Sequence, residues 1–226
     1  ALPGTWVDVA ATPPARPNSP LVIGLHGRGD SAEHFSALAA RMGPGFDWRF
    51  LDAPLSFKEG RQWYRAEEAD GGKRDLEAAL NQVNAHVRSA DRKVTLVGFS
   101  QGCVVAAHYA LENPSAVRAV LCLSGALLFV NDAPRGTRTP DMLFVSGTDD
   151  PVVPIDAVRR TVEQLRERGF RAGLVEHAEG HAIPEASLAR MRHWIERKAK
   201  ADFPRTRGLP VPLGLPRPPM SRIPSP

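Results

Sequence analysis

The amino-acid sequence predicts an α/β fold, in which a mainly parallel central sheet is covered by helices on both faces. Short, continuous apolar runs alternate with amphipathic segments over about residues 20–197. Strands of a parallel sheet are buried on both faces and therefore read as unbroken apolar runs, whereas the covering helices are apolar on one side only. No internal repeat and no second domain is visible, so we expect a single domain over residues 1–200.

The predicted strands are the apolar runs that end in glycine, proline or polar residues. In chain order they are LVIGL (21–25), WRFLDAP with its exit (48–54), VTLVGF (94–99), AVLCLSG (119–125), MLFVSG (142–147) and RAGLVEH (171–177). The predicted helices cover 31–42 with Ser31 as N-cap, 72–90, 101–113, a segment ending at Gly169, and a last one around Leu188, Met191 and Ile195. Ligands of such sheets bind beyond the carboxyl ends of the strands, so we expect the site in those loops.

The charge distribution excludes some functions. The formal net charge is +4, but residues 201–226 contribute 4 − 1 = +3 of it, from four arginines against one aspartate. The nearly neutral remainder argues against a nucleic-acid partner. The same segment holds eight of the 21 prolines, so we expect a Pro/Arg-rich flexible tail that could serve as a proline-rich ligand.

The apolar content places limits on location. No apolar run approaches the ~20 residues that a membrane-spanning helix needs, so no stable membrane insertion is expected. No signal segment is visible, which favours a cytoplasmic location. The chain starts with Ala1 rather than methionine, so secretion is not excluded.

The motif GFSQG, Gly98 to Gly102, follows an apolar run and opens an apolar helix. This is G-x-S-x-G in the strand–turn–helix context of a nucleophile elbow, with Ser100 as the candidate nucleophile. The backbone N–H of Gln101 would then lie at a helix N-terminus, where it can stabilise an anion. A serine hydroxyl is a weak nucleophile and needs a base, and the base needs an orienting carboxylate.

Candidates for the acid and the base follow later strands, in the chain order that this motif requires. Asp149 and Asp150 lie in GTDDPVVP after one strand, and spacing alone does not separate them. His181 lies in a loop before the last helix, and His177, at the end of the preceding strand, is its rival.

The two cysteines, Cys103 and Cys122, are too few for a disulfide framework or a zinc site. Cys103 lies inside the helix that follows Ser100, and we expect it to be a small buried packing residue. No cluster of metal ligands and no phosphate-binding loop is visible, so the sequence implies no metal and no cofactor.

Together, LHGRGDS (25–31), the pair Trp63-Tyr64, GFSQG, GTDDPVVP and EGHAIPEA resemble the phospholipase/carboxylesterase family of α/β-hydrolases, which includes acyl-protein thioesterases and bacterial carboxylesterases. The resemblance covers about residues 20–197. It implies Asp150, directly before the Pro-x-Val-Pro stretch, as the acid, and His181, in Gly-His before the last helix, as the base. The chain departs from the family pattern at Arg65, where aspartate is frequent, and at Cys103.

The stretch LHGRGDS contains GRGDS, the peptide that integrin-type receptors read, but the resemblance implies another role. An α/β-hydrolase places its second oxyanion donor in the loop after this strand. The backbone N–H of Arg28, paired with that of Gln101, is the candidate. Gly27 and Gly29 would let the loop fold back over the serine, and the Arg28 side chain would be free to vary.

The resulting hypothesis is a serine carboxylesterase that hydrolyses short- to medium-chain esters, thioesters or lysophospholipids through an acyl-enzyme. Its partner would be a small-molecule ester, and its oligomeric state is left undetermined. The stretch from Gly125 to Asp141 is too short for a large cap domain, and Trp63 and Tyr64 could form one wall of the substrate site. The alternative is a catalytically silent hydrolase fold that binds through the RGD loop or the proline-rich tail.

Overall fold

The computed structural model of the chain describes residues 6–9, 19–128 and 140–200, and these contain one large sheet and one hairpin. The strands are β1 (Trp6–Val9), β2 (Leu21–Leu25), β3 (Asp47–Leu51), β4 (Leu55–Phe57), β5 (Gly60–Gln62), β6 (Val94–Phe99), β7 (Val117–Leu123), β8 (Asp141–Gly147) and β9 (Ala172–His177). The sheet has the order β1-β3-β2-β6-β7-β8-β9, in which only β1 runs antiparallel to its neighbour. Strands β4 and β5 form a separate antiparallel hairpin.

The described helices pack on both faces of the sheet. They are α1 (Ala32–Phe35), α2 (Ala37–Met42), α3 (Lys73–Arg88), α4 (Gln101–Glu112), α5 (Ile155–Glu167) and α6 (Leu188–Lys200), the last preceded by a 3-10 turn at Glu185–Ser187. Buried side chains of α3, α4 and α5 join one apolar core, and those of α1, α2 and α6 join the other.

Adjacent residues within a strand serve opposite cores. In β2, Val22 packs toward α1, α2 and α6 and Ile23 toward α3, α4 and α5, and both are fully buried. The same division separates Val97 from Leu96 in β6. The alternation of side chains along a strand therefore favours apolar residues at nearly every position of a strand that is covered on both faces.

The predicted fold class is confirmed, and six described strands lie where apolar runs predict them. The predicted helix over 31–42 is divided into α1 and α2 at Ser36, whose hydroxyl donates to the carbonyl of Glu33 at 2.6 Å. Ser31 is the N-cap of α1 and accepts from the N–H of His34 at 3.2 Å. Strand β1 and the β4–β5 hairpin were not predicted, because they are short and lack an extended apolar run.

Two further predictions concern membrane insertion and the C-terminal tail. Among the residues that the structure describes, no helix is long and apolar enough to cross a membrane. The predicted tail, residues 201–226, lies outside the described residues. A separation of the domain at residue 200 therefore stays a prediction.

Candidate active site

The candidate site lies where four parallel strands end. The register aligns Leu25 with Gly98, Phe99 with Leu123, and Leu123 with Val145, so the carboxyl ends of β2, β6, β7 and β8 meet at one edge. The loops that follow these strands carry the motifs singled out in the sequence. The topology therefore collects residues that are far apart in the chain.

Ser100 lies on a sharp turn between β6 and α4 and has φ 51° and ψ −115°. A positive φ is costly for a residue with a side chain, on the order of 1–3 kcal/mol, and persists only where the surroundings enforce it. Here the Ser100 N–H donates to the carbonyl of Leu123 at 2.8 Å, and its carbonyl accepts from Cys103 N–H at 3.0 Å. A Cβ on Gly102 would overlap the carbonyl oxygens of Leu25 and His26, so glycine is required where α4 crosses the end of β2.

Three predicted side chains are brought into one hydrogen-bonded row. His181 Nε2 lies 3.0 Å from Ser100 Oγ, and His181 Nδ1 lies 2.7 Å from Asp150 Oδ2. An ionised carboxylate can only accept, so the Nδ1 proton donates to Asp150 and Nε2 is left to accept the serine proton. The Asp150 side chain is fully buried, and that of His181 is 20% exposed.

Asp150 is held ionised by its own turn. Burial alone raises the pKa of this carboxyl, but hydrogen bonds from the Val153 N–H, from His181 and from the Val152 N–H together hold the pKa below its usual value. The two backbone bonds reach Asp150 Oδ1 at 2.8 Å from Val152 and 2.9 Å from Val153. A charged carboxylate at this position accepts the Nδ1 proton of His181 and so fixes the tautomer and orientation of the ring.

The two rivals left open by spacing are outside this row. Asp149 is exposed. His177 has both ring nitrogens buried, and within the described ranges neither is paired. The structure therefore separates the candidates by position, although sequence spacing did not.

The loop that carries His181 is tied to the end of β7. Ser124 follows β7, is fully buried, and has φ 46°. Its hydroxyl donates to the carbonyl of Ala182 at 3.1 Å, and its N–H donates to the carbonyl of Val145 at 2.9 Å. Ser124 was not singled out in the sequence, where it reads only as the last polar residue of an apolar run.

Cys103 is buried as predicted, but it is more than a packing residue, because it forms a disulfide with Cys122. The Cα atoms are 4.8 Å apart and 19 residues separate the two cysteines in the chain. The bond joins the first turn of α4 to β7. The sequence does not predict this pairing, because the two cysteines come within bonding distance only when α4 packs on β7.

The predicted oxyanion loop packs directly against Ser100. A Cβ built on Gly27 would lie 3.5 Å from Ser100 Cβ and 2.8 Å from the Phe99 ring. Among the described residues, no hydrogen-bond acceptor is paired with the backbone N–H of Arg28 or of Gln101. Both amides are therefore free to donate, and the assignment of an oxyanion hole to them stays a prediction.

The Arg28 side chain is engaged in contacts within the domain, and whether the position is free to vary stays a prediction. Its guanidinium donates to both carboxylate oxygens of Glu67 at 3.0 and 3.1 Å and to Gln62 Oε1 at 3.2 Å. It also lies over the Phe57 ring, 4.1 Å from the centroid. The side chain thus ties the oxyanion loop to the segment that contains the β4–β5 hairpin.

The other charged residue of the adhesion-like tripeptide is also engaged. Asp30 Oδ1 accepts from the Ser31 N–H at 2.8 Å and lies 2.7 Å from His34 Nδ1. The loop backbone pairs with the hairpin, since Gly29 N–H donates to the Arg61 carbonyl and Arg61 N–H donates to the Asp30 carbonyl. Both side chains that an adhesion receptor would read are therefore occupied within the domain.

The predicted substrate contacts of Trp63 and Tyr64 are not supported by their packing. Trp63 has no exposed surface and Tyr64 is 4% exposed, and both belong to the core on the side of α3 and α4. The Trp63 indole N–H donates to the carbonyl of His26 at 2.8 Å. Burial raises the pKa of Tyr64 to about 12. These side chains therefore lie beneath the site as packing residues rather than forming a wall of it.

His26, at the start of the oxyanion loop, is a buried neutral imidazole. Its Nδ1 proton donates to the carbonyl of Gly27 at 2.7 Å, and its Nε2 accepts from the Ala53 N–H at 3.0 Å. Burial lowers the pKa of this histidine, against opposing contributions from the Gly27 carbonyl and nearby carboxylates. Protonation would remove the acceptor for Ala53, so the loop depends on the neutral ring.

The fold and the strained serine between β6 and α4 are those of an α/β-hydrolase. The family profile described as phospholipase/carboxylesterase matches residues 8–199, and the chain belongs to this family. The resemblance inferred from the motifs is therefore confirmed, and so is the prediction of an enzyme of the serine hydrolase class.

Individual proteins are similar to this chain as well, and the solved structures among them share its fold. Acyl-protein thioesterase 1 from Schizosaccharomyces pombe is 27% identical over 164 aligned residues, which cover 62% of this chain and 73% of that protein. The crystal structure of the Bacillus cereus carboxylesterase is similar with a TM-score of 0.71 at 15% identity, covering 85% of this chain and 93% of that one. A carboxylesterase from Mesorhizobium loti gives a TM-score of 0.70 at 20% identity, with 79% and 88% covered.

Proposed function

We propose that this protein hydrolyses carboxylic esters of short and medium acyl chain length through a Ser100–His181–Asp150 triad and an acyl-enzyme. The observation that carries the proposal is the position of His181, which contacts the hydroxyl of Ser100 with one ring nitrogen and the carboxylate of Asp150 with the other. Neither contact serves packing, and both are what a serine nucleophile needs.

In the first half-reaction, Ser100 Oγ attacks the carbonyl carbon of the ester while His181 Nε2 takes the hydroxyl proton. The carbonyl oxygen becomes an oxyanion, for which the N–H groups of Arg28 and Gln101 are the proposed donors. Such donors lower the barrier because they are oriented before charge develops, and loss of one typically costs about 2.7–4 kcal/mol. The imidazolium, stabilised by Asp150, then protonates the leaving oxygen, and the C–O bond breaks.

In the second half-reaction, water replaces the alcohol. His181 takes a proton from the water as it attacks the acyl-enzyme, the same oxyanion forms, and the proton passes to Ser100 as the acid leaves. A thioester would follow the same steps with sulfur as the leaving atom. Thioesters and lysophospholipids therefore belong in the same substrate screen.

A short acyl chain is favoured by what surrounds the triad. The connection from β7 to β8 holds too few residues for a helical cap, and Trp63 and Tyr64 are buried beneath the site. A site without a cap gives a long chain little enclosed apolar surface, and each methylene adds roughly 0.8 kcal/mol only while it is buried. Binding through the RGD loop, one form of the alternative function, is not favoured, because Arg28 and Asp30 are engaged within the domain.

The test has two arms. A fluorophosphonate probe should label the wild-type protein at Ser100 and leave Ser100→Ala unlabelled, with ester turnover reduced by about four to six orders of magnitude in that variant. Across p-nitrophenyl esters, kcat/KM should be higher for about four to eight acyl carbons than for sixteen.

Either arm can fail on its own. Labelling that persists in Ser100→Ala, or turnover above a few per cent of wild type, would show that another residue is the nucleophile. A steady rise in kcat/KM to sixteen carbons, or a jump in rate above the solubility limit of the substrate, would show an enclosed or interface-activated site instead. Matched thioesters at the best chain length then rank oxygen against sulfur leaving groups.

A further inference from the structure

The two proposed oxyanion donors belong to different loops, and a third segment lies between them. The Arg28 N–H follows β2 and the Gln101 N–H follows β6. The third segment is the dipeptide Trp63-Tyr64, just after the β4–β5 hairpin. An oxyanion hole works only if both N–H groups are held at a fixed separation, so the contacts of this dipeptide are what matter.

The side chain of Gln101 pairs with the dipeptide through both ends of its amide. Its Oε1 accepts from the Trp63 N–H at 2.7 Å, and its Nε2 donates to the Tyr64 carbonyl at 2.6 Å. Gln101 is 7% exposed. A primary amide offers an acceptor and a donor side by side, whereas methionine offers neither and an ionised glutamate offers acceptors only.

The same dipeptide is bonded to the other donor loop. The Trp63 indole donates to the carbonyl of His26 at 2.8 Å, two residues before Arg28. One residue after Arg28, Gly29 N–H donates to the carbonyl of Arg61 at 2.7 Å. A continuous series of buried bonds therefore runs from the Gln101 amide through Trp63 to the Arg28 loop.

We propose that the side chain of Gln101 is a positioning residue for the oxyanion hole, which holds the Trp63-Tyr64 segment so that the Arg28 and Gln101 N–H groups stay at one separation. This rests on the proposed esterase function. The backbone of Gln101 supplies a donor, and its side chain sets the position of the partner donor. This second role explains the polar side chain at the first position of a mostly apolar helix.

The first test is Gln101→Met, which keeps the length and burial of the side chain, removes both bonds and adds no charge. We expect kcat/KM to fall about 10- to 100-fold, since small displacements of preorganised donors are costly in rate. A trifluoromethyl ketone that forms a tetrahedral anion on Ser100 should lose affinity by a similar factor. The corresponding methyl ketone should bind nearly as before.

The second test is Gln101→Glu, which is isosteric but places an anionic oxygen against the Tyr64 carbonyl. When protonated, this carboxyl can donate to that carbonyl and restore the pair. The ratio of Gln101→Glu to wild-type kcat/KM should therefore rise as pH falls from 8 toward 5.5. The ratio for Gln101→Met should not change with pH, which separates a lost bond from a general effect of acid.

The matched control is Gln82→Met. Gln82 is also 7% exposed, and its Nε2 donates to the backbone carbonyl of Asp52 at 2.8 Å. It should lose stability in a comparable way while kcat/KM stays within about twofold of wild type. The melting temperature of every variant is measured, so that a loss of stability is distinguished from a loss of catalytic rate.

Several outcomes would overturn the inference. These are a folded Gln101→Met with wild-type kcat/KM, a control that loses as much rate as Gln101→Met, or a Gln101→Glu ratio independent of pH. If Gln101→Met does not fold, the Gln101→Glu pH ratio decides alone. Wild-type turnover and fluorophosphonate labelling of Ser100 are measured first, so failure of the esterase proposal is recognised separately.

Discussion

The two halves of the site are built by different means. The half that contains the proposed oxyanion donors, here called the oxyanion half, joins three segments distant in the chain through buried bonds of Gln101, Trp63 and His26. The acid–base half combines short-range turns, such as the bonds from Val152 and Val153 to Asp150, with one longer bond from Ser124 to the Ala182 carbonyl. Burial differs too, since Trp63 has no exposed surface while Val152 is 61% exposed.

This difference follows from what each half has to do. Donors to an oxyanion work by being fixed before charge develops, so they need rigid, desolvated supports. An imidazole that exchanges protons with a leaving group and with water has to be reached by both, and the side chain of His181 is 20% exposed. Substitutions in the first half should therefore disturb the fold as well as the rate, whereas those at the acid and base should act mainly on rate.

The largest expected effects fall on the acid–base half. His181→Ala should lower kcat by about four to six orders of magnitude, and Asp150→Asn by about 10⁴-fold, because the members of a triad act as a unit. His177→Ala and Asp149→Asn, which lie outside the hydrogen-bonded row, should stay within about tenfold of wild type. The measurement is steady-state hydrolysis of one p-nitrophenyl ester, with circular dichroism on each variant.

Comparable losses at His181 and His177, or at Asp150 and Asp149, in folded protein would show that the acid and base are assigned wrongly. Melting temperatures of His181→Ala and Asp149→Asn close to wild type would agree with a half that is held partly by local turns.

A glycine pair tests the contrast in packing. Gly102→Ala would place its Cβ against the carbonyl oxygens of Leu25 and His26, so we expect a loss of about 3 kcal/mol of unfolding free energy or more. At Gly180, in the loop of His181, the nearest atoms to an added Cβ are 3.6 and 3.8 Å away, an ordinary contact. Gly180→Ala should therefore change stability by less than about 1 kcal/mol.

Thermal unfolding measures both, since 1 kcal/mol corresponds to about 2–4 °C in a chain of this size. Equal shifts in Tm for the two variants would contradict the difference in packing between these two glycine positions.

The smallest expected effect concerns the pH dependence of His26. Burial lowers the pKa of His26 in the folded protein, so the unfolded chain binds the proton more readily. The stability from the neutral ring is thus present above the unfolded pKa of about 6.5 and is lost as pH falls through the lower folded pKa. Glutamine does not titrate, so the unfolding free energy of His26→Gln should depend less on pH than that of wild type. The difference is at most about 1.4 kcal/mol per pH unit.

Urea unfolding at pH 7 and pH 5 gives the comparison for wild type and variant. Only the change in unfolding free energy between pH 7 and pH 5 is compared, because His26→Gln also loses hydrogen bonds at both pH values. If wild type and His26→Gln lost the same unfolding free energy between pH 7 and pH 5, His26 would not contribute to the acid sensitivity of the protein.

Much of the fold and the nucleophile could be read from the sequence. Strands that are covered on both faces are apolar at nearly every position, and this pattern predicted six of them. The motif around Ser100 is specific because a strained turn between a strand and a helix needs glycine on both sides, at Gly98 and Gly102. These requirements are local, so they can be recognised in consecutive residues of the sequence.

Only the tertiary structure decided which neighbours meet. Spacing left Asp149 and Asp150 open and the family pattern favoured Asp150, but only the structure shows the contact itself, 2.7 Å between the side chains of Asp150 and His181. The side chains of Arg28, Trp63 and Gln101 also took roles that spacing could not reveal, since their partners lie more than 30 residues away. The disulfide between Cys103 and Cys122 is of the same kind. Contacts between distant segments depend on how the sheet orders its strands, and no stretch of consecutive residues records that order.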